Sequence, residues 1–149
     1  MSERIVIADD EPDISRLIAL ILREYTVLRA KRGDEALQLI RQELPDLAIL
    51  DISMPVLNGF EIAQALLADP KTARIPIIFL SAYGQQREID AGLAAGVALY
   101  IVKPFDPDEL LESVEKLLDQ QPRVEAEFRE EQPQEMPLRY RDARDGRSF

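Results

Sequence analysis

Two rhythms of apolar and polar residues alternate along this chain. Five short apolar runs, at residues 5–8, 27–28, 47–50, 77–80 and 99–102, are rich in branched side chains and mostly unbroken. Runs of this kind predict strands buried on both faces of a parallel sheet. Val27-Leu28 is the exception, because Arg29 and Lys31 flank Ala30 just beyond it. That polarity predicts an edge strand.

Between the runs the period lengthens to that of a helix. Ile14, Leu17, Ile18, Ile21 and Leu22 recur at i, i+3, i+4, i+7 and i+8, forming one apolar stripe. Ala36, Leu37, Ile40 and Leu44 repeat the pattern, as do Ile62, Ala63, Leu66 and Leu67. A fourth helix, near residues 86–95, is rich in alanine with Ile89 and Leu93 as its large anchors, and Gly96 reads as its C-terminal cap. The fifth opens on Asp106-Pro107-Asp108-Glu109, which predicts a capping box with proline at the first helical position.

Five strand–helix units with short connections predict right-handed crossovers and a three-layer α/β fold, with helices on both faces of the sheet. The helical pattern stops near Gln121. From Pro122 onward three prolines, mixed charge and scattered apolar residues replace it. Such a composition does not bury enough surface to offset its ordering entropy. The expected organisation is one domain over residues 1–121 and a flexible or partner-ordered tail over 122–149, with room for one short helix within 123–131.

Composition narrows the chemistry. The 149 residues include no cysteine and no histidine. Disulfides, thiolate nucleophiles, Cys-based zinc sites and histidine-dependent triads are excluded, while a lysine-based triad or a carboxylate pair stays open. With 18 Lys+Arg against 28 Asp+Glu, the net charge of −10 opposes direct DNA binding, which needs a basic face. The opening MSERIVIADDEP has no signal-peptide core, and the longest apolar run falls far short of a membrane span. The expectation is a cytoplasmic protein with no membrane association.

Polar residues sit where the apolar runs end. Asp9 and Asp10 follow the first run, Asp51 the third, Ser81 the fourth and Lys103 the fifth. In an open parallel sheet, ligands bind at the carboxyl ends of the strands. Three carboxylates, a hydroxyl and an ammonium therefore converge on one crevice. Two carboxylates about 4 Å apart repel by about 4 kcal/mol at an effective dielectric near 20. A divalent cation relieves that repulsion, and Mg²⁺ suits hard oxygen ligands together with phosphate oxygens. No Gly-rich phosphate loop is present, so a cradled nucleotide is not expected.

These residues carry a resemblance. Asp9-Asp10, the segment Asp51-Ile52-Ser53-Met54-Pro55 with Asn58-Gly59, Ser81-Ala82, and Tyr100-Ile101-Val102-Lys103-Pro104-Phe105 resemble the response-regulator receiver domain over about residues 3 to 121. The resemblance implies a flavodoxin-like sheet of order 2-1-3-4-5. It implies that Asp51 accepts a phosphoryl group from a phosphohistidine on a sensor histidine kinase or a histidine phosphotransfer protein. Asp9, Asp10, Asp51 and the Ser53 backbone carbonyl are then the Mg²⁺ ligands. Lys103 and Ser81 contact the phosphoryl oxygens, small Ala82 leaves them room, Pro104 follows a cis peptide, and Tyr100 acts with Ser81 as the switch.

Two features depart from the family's pattern. Ser81 stands where threonine is commoner, and Ser53 and Tyr83 occupy positions that tune phosphoryl lifetime. The implied function is a two-component or phosphorelay switch that acts on a downstream protein target, with a homodimer face over the fourth helix, fifth strand and fifth helix left open. Conventional enzymatic turnover is not expected beyond Mg²⁺-dependent self-phosphorylation and autodephosphorylation. Two alternatives remain: a phosphorylation-independent adaptor, and a phosphatase-like enzyme with an aspartyl nucleophile. The second would need an acid/base two residues after Asp51, where Ser53 stands.

Overall fold

The computed structural model describes residues 3–82 and 84–120. The strands are β1 (Arg4–Ala8), β2 (Thr26–Ala30), β3 (Leu47–Asp51), β4 (Ile77–Ser81) and β5 (Leu99–Val102). The helices α1 (Pro12–Ile21), α2 (Gly33–Glu43), α3 (Gly59–Ala68), α4 (Gln86–Ala94) and α5 (Pro107–Asp119) alternate with them. All strand pairs are parallel, and the sheet order is β2-β1-β3-β4-β5. The polar second run is indeed an edge strand. Residues 121–149, including the predicted tail, lie outside the described residues.

Alternation along the strands divides the interior into two cores. Ile5, Ile7, Leu47, Ile49, Ile78, Leu80 and Leu99 face α1 and α5, where Ile18, Leu22, Leu110, Val114 and Leu117 meet them. Val6, Ala8, Ala48, Leu50, Ile77 and Phe79 face α2, α3 and α4, against Ile40, Ile62, Leu66 and Val97. Nearly all of these side chains are shielded from water. At about 25 cal/mol per Å² of apolar surface, this two-sided burial is the main drive to fold.

Helix ends follow from local chemistry. Asp106 caps α5 by accepting from the Asp108 N–H at 2.8 Å, with Pro107 at the first position. The reciprocal box expected there forms instead at α3. Asn58 Oδ1 accepts from the Glu61 N–H at 2.9 Å, and Glu61 Oε1 accepts from the Asn58 N–H at 2.8 Å. In α5 the Asp106 carboxylate is bound one residue earlier, at Asp108. Gly96 sits beyond the α4 C-cap at φ +97°, the left-handed conformation that favours glycine there.

Candidate functional site

The same alternation that builds the cores also builds the site. Asp9, Asp51 and Lys103 continue the rows Ile5-Ile7, Leu47-Ile49 and Leu99-Ile101, so all three share the α1/α5 side of the sheet. The ladder extends one residue past the strands to hold them: the Asp9 N–H donates to the Ala30 carbonyl (3.1 Å), and the Lys103 N–H donates to the Ser81 carbonyl (2.7 Å). Asp51 and Asp9 are buried, at 4% and 1% exposure, whereas Asp10 is exposed.

Asp9 and Asp51 are held in matching fashion. Asp9 Oδ1 accepts from the Glu11 N–H at 2.9 Å, and Asp51 Oδ1 accepts from the Ser53 N–H at 3.0 Å. Each bond to the residue two ahead fixes the carboxylate on its own turn. The remaining oxygens meet a single ammonium: Lys103 Nζ lies 3.1 Å from Asp9 Oδ2 and 3.2 Å from Asp51 Oδ2. The Asp51 contact is a hydrogen bond. The Asp9 contact is close in distance but misses hydrogen-bond geometry, so among the described residues this buried oxygen has a cation beside it and no well-aligned hydrogen bond.

Lys103 Nζ also donates to Glu11 Oε1 at 2.7 Å. Glu11 is not among the site residues that the sequence predicts. It occupies the N-cap of α1 without capping it through its side chain, and its carboxylate turns to Lys103 instead. The only signal for it in the sequence is a third acidic residue directly after Asp9-Asp10.

The charges set the protonation. Burial pushes the Asp9 carboxyl up to about 6; the Glu11 amide opposes the rise, the Asp51 charge adds to it, and Lys103 opposes it. Burial works against the Lys103 charge, but the Glu11 bond and the fields of Asp51 and Asp9 outweigh it and raise its pKa. Four carboxylates around one ammonium leave the pocket with surplus negative charge.

That surplus fits a hard divalent cation. Asp9, Asp10 and Asp51 each offer a carboxylate oxygen, all within 4.8 Å of one another. The donor set is entirely oxygen, Asp10 gives access from solvent, and among the described residues Asp9 Oδ2 has the Lys103 ammonium beside it but no well-aligned hydrogen bond. An oxygen set with an open side suits Mg²⁺, which keeps several waters.

The other expected residues lie around this centre. Ser53 is exposed on the β3–α3 turn, with its N–H on Asp51. Ser81 is buried at the end of β4, in the alternate row that faces α2–α4, and Ala82 follows it, exposed. The Lys103–Pro104 peptide is cis. Tyr100 stands three residues before Lys103, half-buried, its ring edge-on to Phe79 at 6.4 Å. Tyr100 and Ser81 therefore share the row opposite to the carboxylates.

Comparison with known proteins agrees with this architecture. The family model for the response regulator receiver domain matches residues 5–115. The chain is 36% identical over 117 residues to protein PilH of Pseudomonas aeruginosa, spanning 77% of this chain and 97% of PilH. It is 39% identical over 123 residues to the DNA-binding dual master transcriptional regulator RpaA of Synechocystis, covering 81% of this chain but 51% of RpaA. The chain spans about half the length of most of the curated relatives it matches. Among solved structures, the chemotaxis response regulator CheY4 of Vibrio cholerae superposes with a TM-score of 0.74 at 28% identity, over 78% of this chain and 99% of that one. The receiver domain of a Francisella response regulator gives 0.74 at 31% identity, over 79% and 98%. Sheet order, acidic cluster and sequence agree, and the chain belongs to the response regulator receiver domain family of two-component signalling.

Proposed function

We propose that this receiver is a phosphorylation-driven switch with Asp51 as the acceptor, working with Mg²⁺ held by Asp9, Asp10, Asp51 and the Ser53 backbone carbonyl. The observation that carries the reading is the convergence of Asp9 Oδ2 and Asp51 Oδ2 on one Lys103 ammonium, with the carboxylates in excess. An Asp51 carboxylate oxygen attacks phosphorus of a phosphohistidine on a partner kinase or phosphotransfer protein. The O–P bond forms as the N–P bond breaks, and the imidazole leaves with the electron pair.

Magnesium, when bound, supplies charge neutralisation for the carboxylates and the transferring group. The chain's own residues do the rest. The Ser53 N–H orients the Asp51 carboxylate through Oδ1. Lys103 exchanges carboxylate partners for a phosphoryl oxygen, and the Ser81 hydroxyl donates to another. Catalysis here is in-line positioning and electrostatic stabilisation. The acyl phosphate adds roughly 1.5 to 2 negative charges. Shifting a two-state surface from 1:99 to 99:1 needs about 5.5 kcal/mol, and charge-assisted hydrogen bonds of about 1.5–3 kcal/mol each reach that sum with a few contacts.

Tyr100 and Ser81, in one row against α4, are the moving pair that carries the change to the surface of α4, β5 and α5, where a downstream protein binds or a second copy pairs. Output through protein contacts in the cytoplasm, rather than through DNA, accords with the net charge of −10. The domain boundary near residue 121 and a separate tail belong to the same proposal.

Intact-mass spectrometry after incubation with acetyl phosphate and Mg²⁺ tests the acceptor. One added phosphoryl group is expected on the wild type and none on Asp51→Asn. Labelling that persists in the variant would overturn the assignment.

A further inference from the structure

The turn that leads from Asp51 to α3 is strained and is braced by a neighbouring helix. Val56 has φ +74°, a conformation that β-branched residues rarely adopt. The Leu57 N–H donates to the Pro55 carbonyl at 2.9 Å, closing a three-residue γ-turn around Val56, and this hand of γ-turn is the rare and strained one. The Val56 side chain is 64% exposed and does little packing to hold the turn. Met54 and Leu57 anchor the turn in the core, and α2 braces it from the other side: the Gly33 N–H, at the first position of that helix, donates to the same Pro55 carbonyl at 3.0 Å.

This brace exists because residue 33 has no side chain. A Cβ on Gly33 would lie 1.8 Å from the Leu57 carbonyl oxygen and 2.6 Å from its carbonyl carbon, both backbone atoms with nowhere to go. Any other residue would drive the α2 N-terminus and the turn apart. The displaced segment carries Ser53, two residues before Pro55, whose N–H bonds Asp51 Oδ1.

We infer that Gly33 is a positioning residue for the acidic pocket, letting the start of α2 close onto the 52–58 turn and hold the Ser53 backbone and the Asp51 carboxylate where they bind Mg²⁺. The inference rests on the Mg²⁺ reading above and extends it to a helix that supplies none of the pocket's side chains. Through this contact, the position of α2 and the metal affinity of the pocket are linked.

Calorimetric titration of the full chain with MgCl₂ tests it, using wild type, Gly33→Ala and a control, Gly96→Ala. At Gly96 the φ of +97° and a Cβ 2.8 Å from Leu67 Cδ1 also disfavour a side chain, but in the α4–β5 connection at the opposite end of the sheet. Both variants are expected to melt lower than wild type. Gly33→Ala should weaken Mg²⁺ binding about tenfold or more, the loss typical when the support of a metal ligand is removed. Gly96→Ala should stay within about twofold of wild type, as for distant independent sites. Unchanged affinity in Gly33→Ala, or equal loss in both variants, overturns the inference.

A second measurement covers a Gly33→Ala chain that does not fold. Because linkage is reciprocal, Mg²⁺ should slow amide exchange at Gly33 and Leu57 in the wild type by more than the general stabilisation by a bound ligand slows it at Gly96. Unaltered protection at Gly33, or a gain there no larger than at Gly96, refutes the brace. A wild-type chain that takes up no Mg²⁺ refutes the metal reading first, which distinguishes the two failures.

Discussion

The two ends of the sheet handle charge in opposite ways. At the amino end, Arg4 opens β1 and meets local, complementary partners. Its N–H donates to Asp46 Oδ2 at 2.8 Å, and its guanidinium pairs with the Glu43 carboxylate and donates to the Glu43 carbonyl at 3.0 Å. Both side chains of the ion pair remain over a third exposed, so water screens whatever is imperfect. At the carboxyl end, Asp9 and Asp51 are buried, Lys103 serves them and Glu11, and among the described residues one buried Asp9 oxygen has no well-aligned hydrogen bond. The amino end is arranged for the folded state alone. The carboxyl end keeps a charge imbalance that a bound cation corrects, and such imbalance marks a functional site.

Removing the Lys103 ammonium should break this contrast most severely. Lys103→Met leaves Asp9 and Asp51 buried without a counter-charge, a change that costs about 3 kcal/mol or more. Urea unfolding of the metal-free variant should show that loss. Addition of Mg²⁺ should recover much of it, with affinity equal to or tighter than wild type because the competing ammonium is gone. A variant as stable as wild type without metal would mean that Lys103 balances nothing.

The second effect is a pH dependence confined to the metal-free protein. Asp9 has its folded pKa raised from 3.8 to about 6 by burial. The folded state therefore holds the proton more tightly than the unfolded chain. This contribution favours folding fully below about pH 4 and is lost as the pH rises through about 6. A shift of this size corresponds to about 3 kcal/mol at most. Stability measured without Mg²⁺ should fall across that window, and Asp9→Asn should flatten the fall while raising stability at neutral pH. An unchanged profile in the variant would remove Asp9 as its source.

The smallest effect is expected at the other end. Arg4→Ala removes a half-exposed ion pair and should cost about 1 kcal/mol or less. Mg²⁺ affinity should not move. A large drop in either quantity would erase the distinction between the two ends.

Much of this contrast is legible in the sequence, because alternation and strand ends are local properties. The unbroken runs at 47–50 and 77–80 mark central strands. The polar surroundings of Val27-Leu28 mark the edge, and the acids after Ala8 and Leu50 mark the crevice. What escapes the sequence is contact between distant segments. Glu11 and Lys103 are 92 residues apart, and nothing in the period of α1 shows that the Glu11 side chain leaves its own helix. Gly33 reads as an ordinary helix start until the Leu57 carbonyl is found against it. The capping box misses its place for a smaller reason: the motifs at Asp106 and Asn58 are equally good on paper, and the local backbone decides which one closes.

Paramagnetic Mn²⁺, standing in for Mg²⁺ on the full chain, locates the cation through the broadening of backbone amide signals. Broadening is expected to be strongest at Asp10, Ser53 and Lys103, far weaker at Arg4 and Asp46 about five residues away along the strands, and to recover when excess Mg²⁺ displaces the probe. Broadening centred on the amino end, or no localised broadening at all, would contradict the proposed Mg²⁺ site.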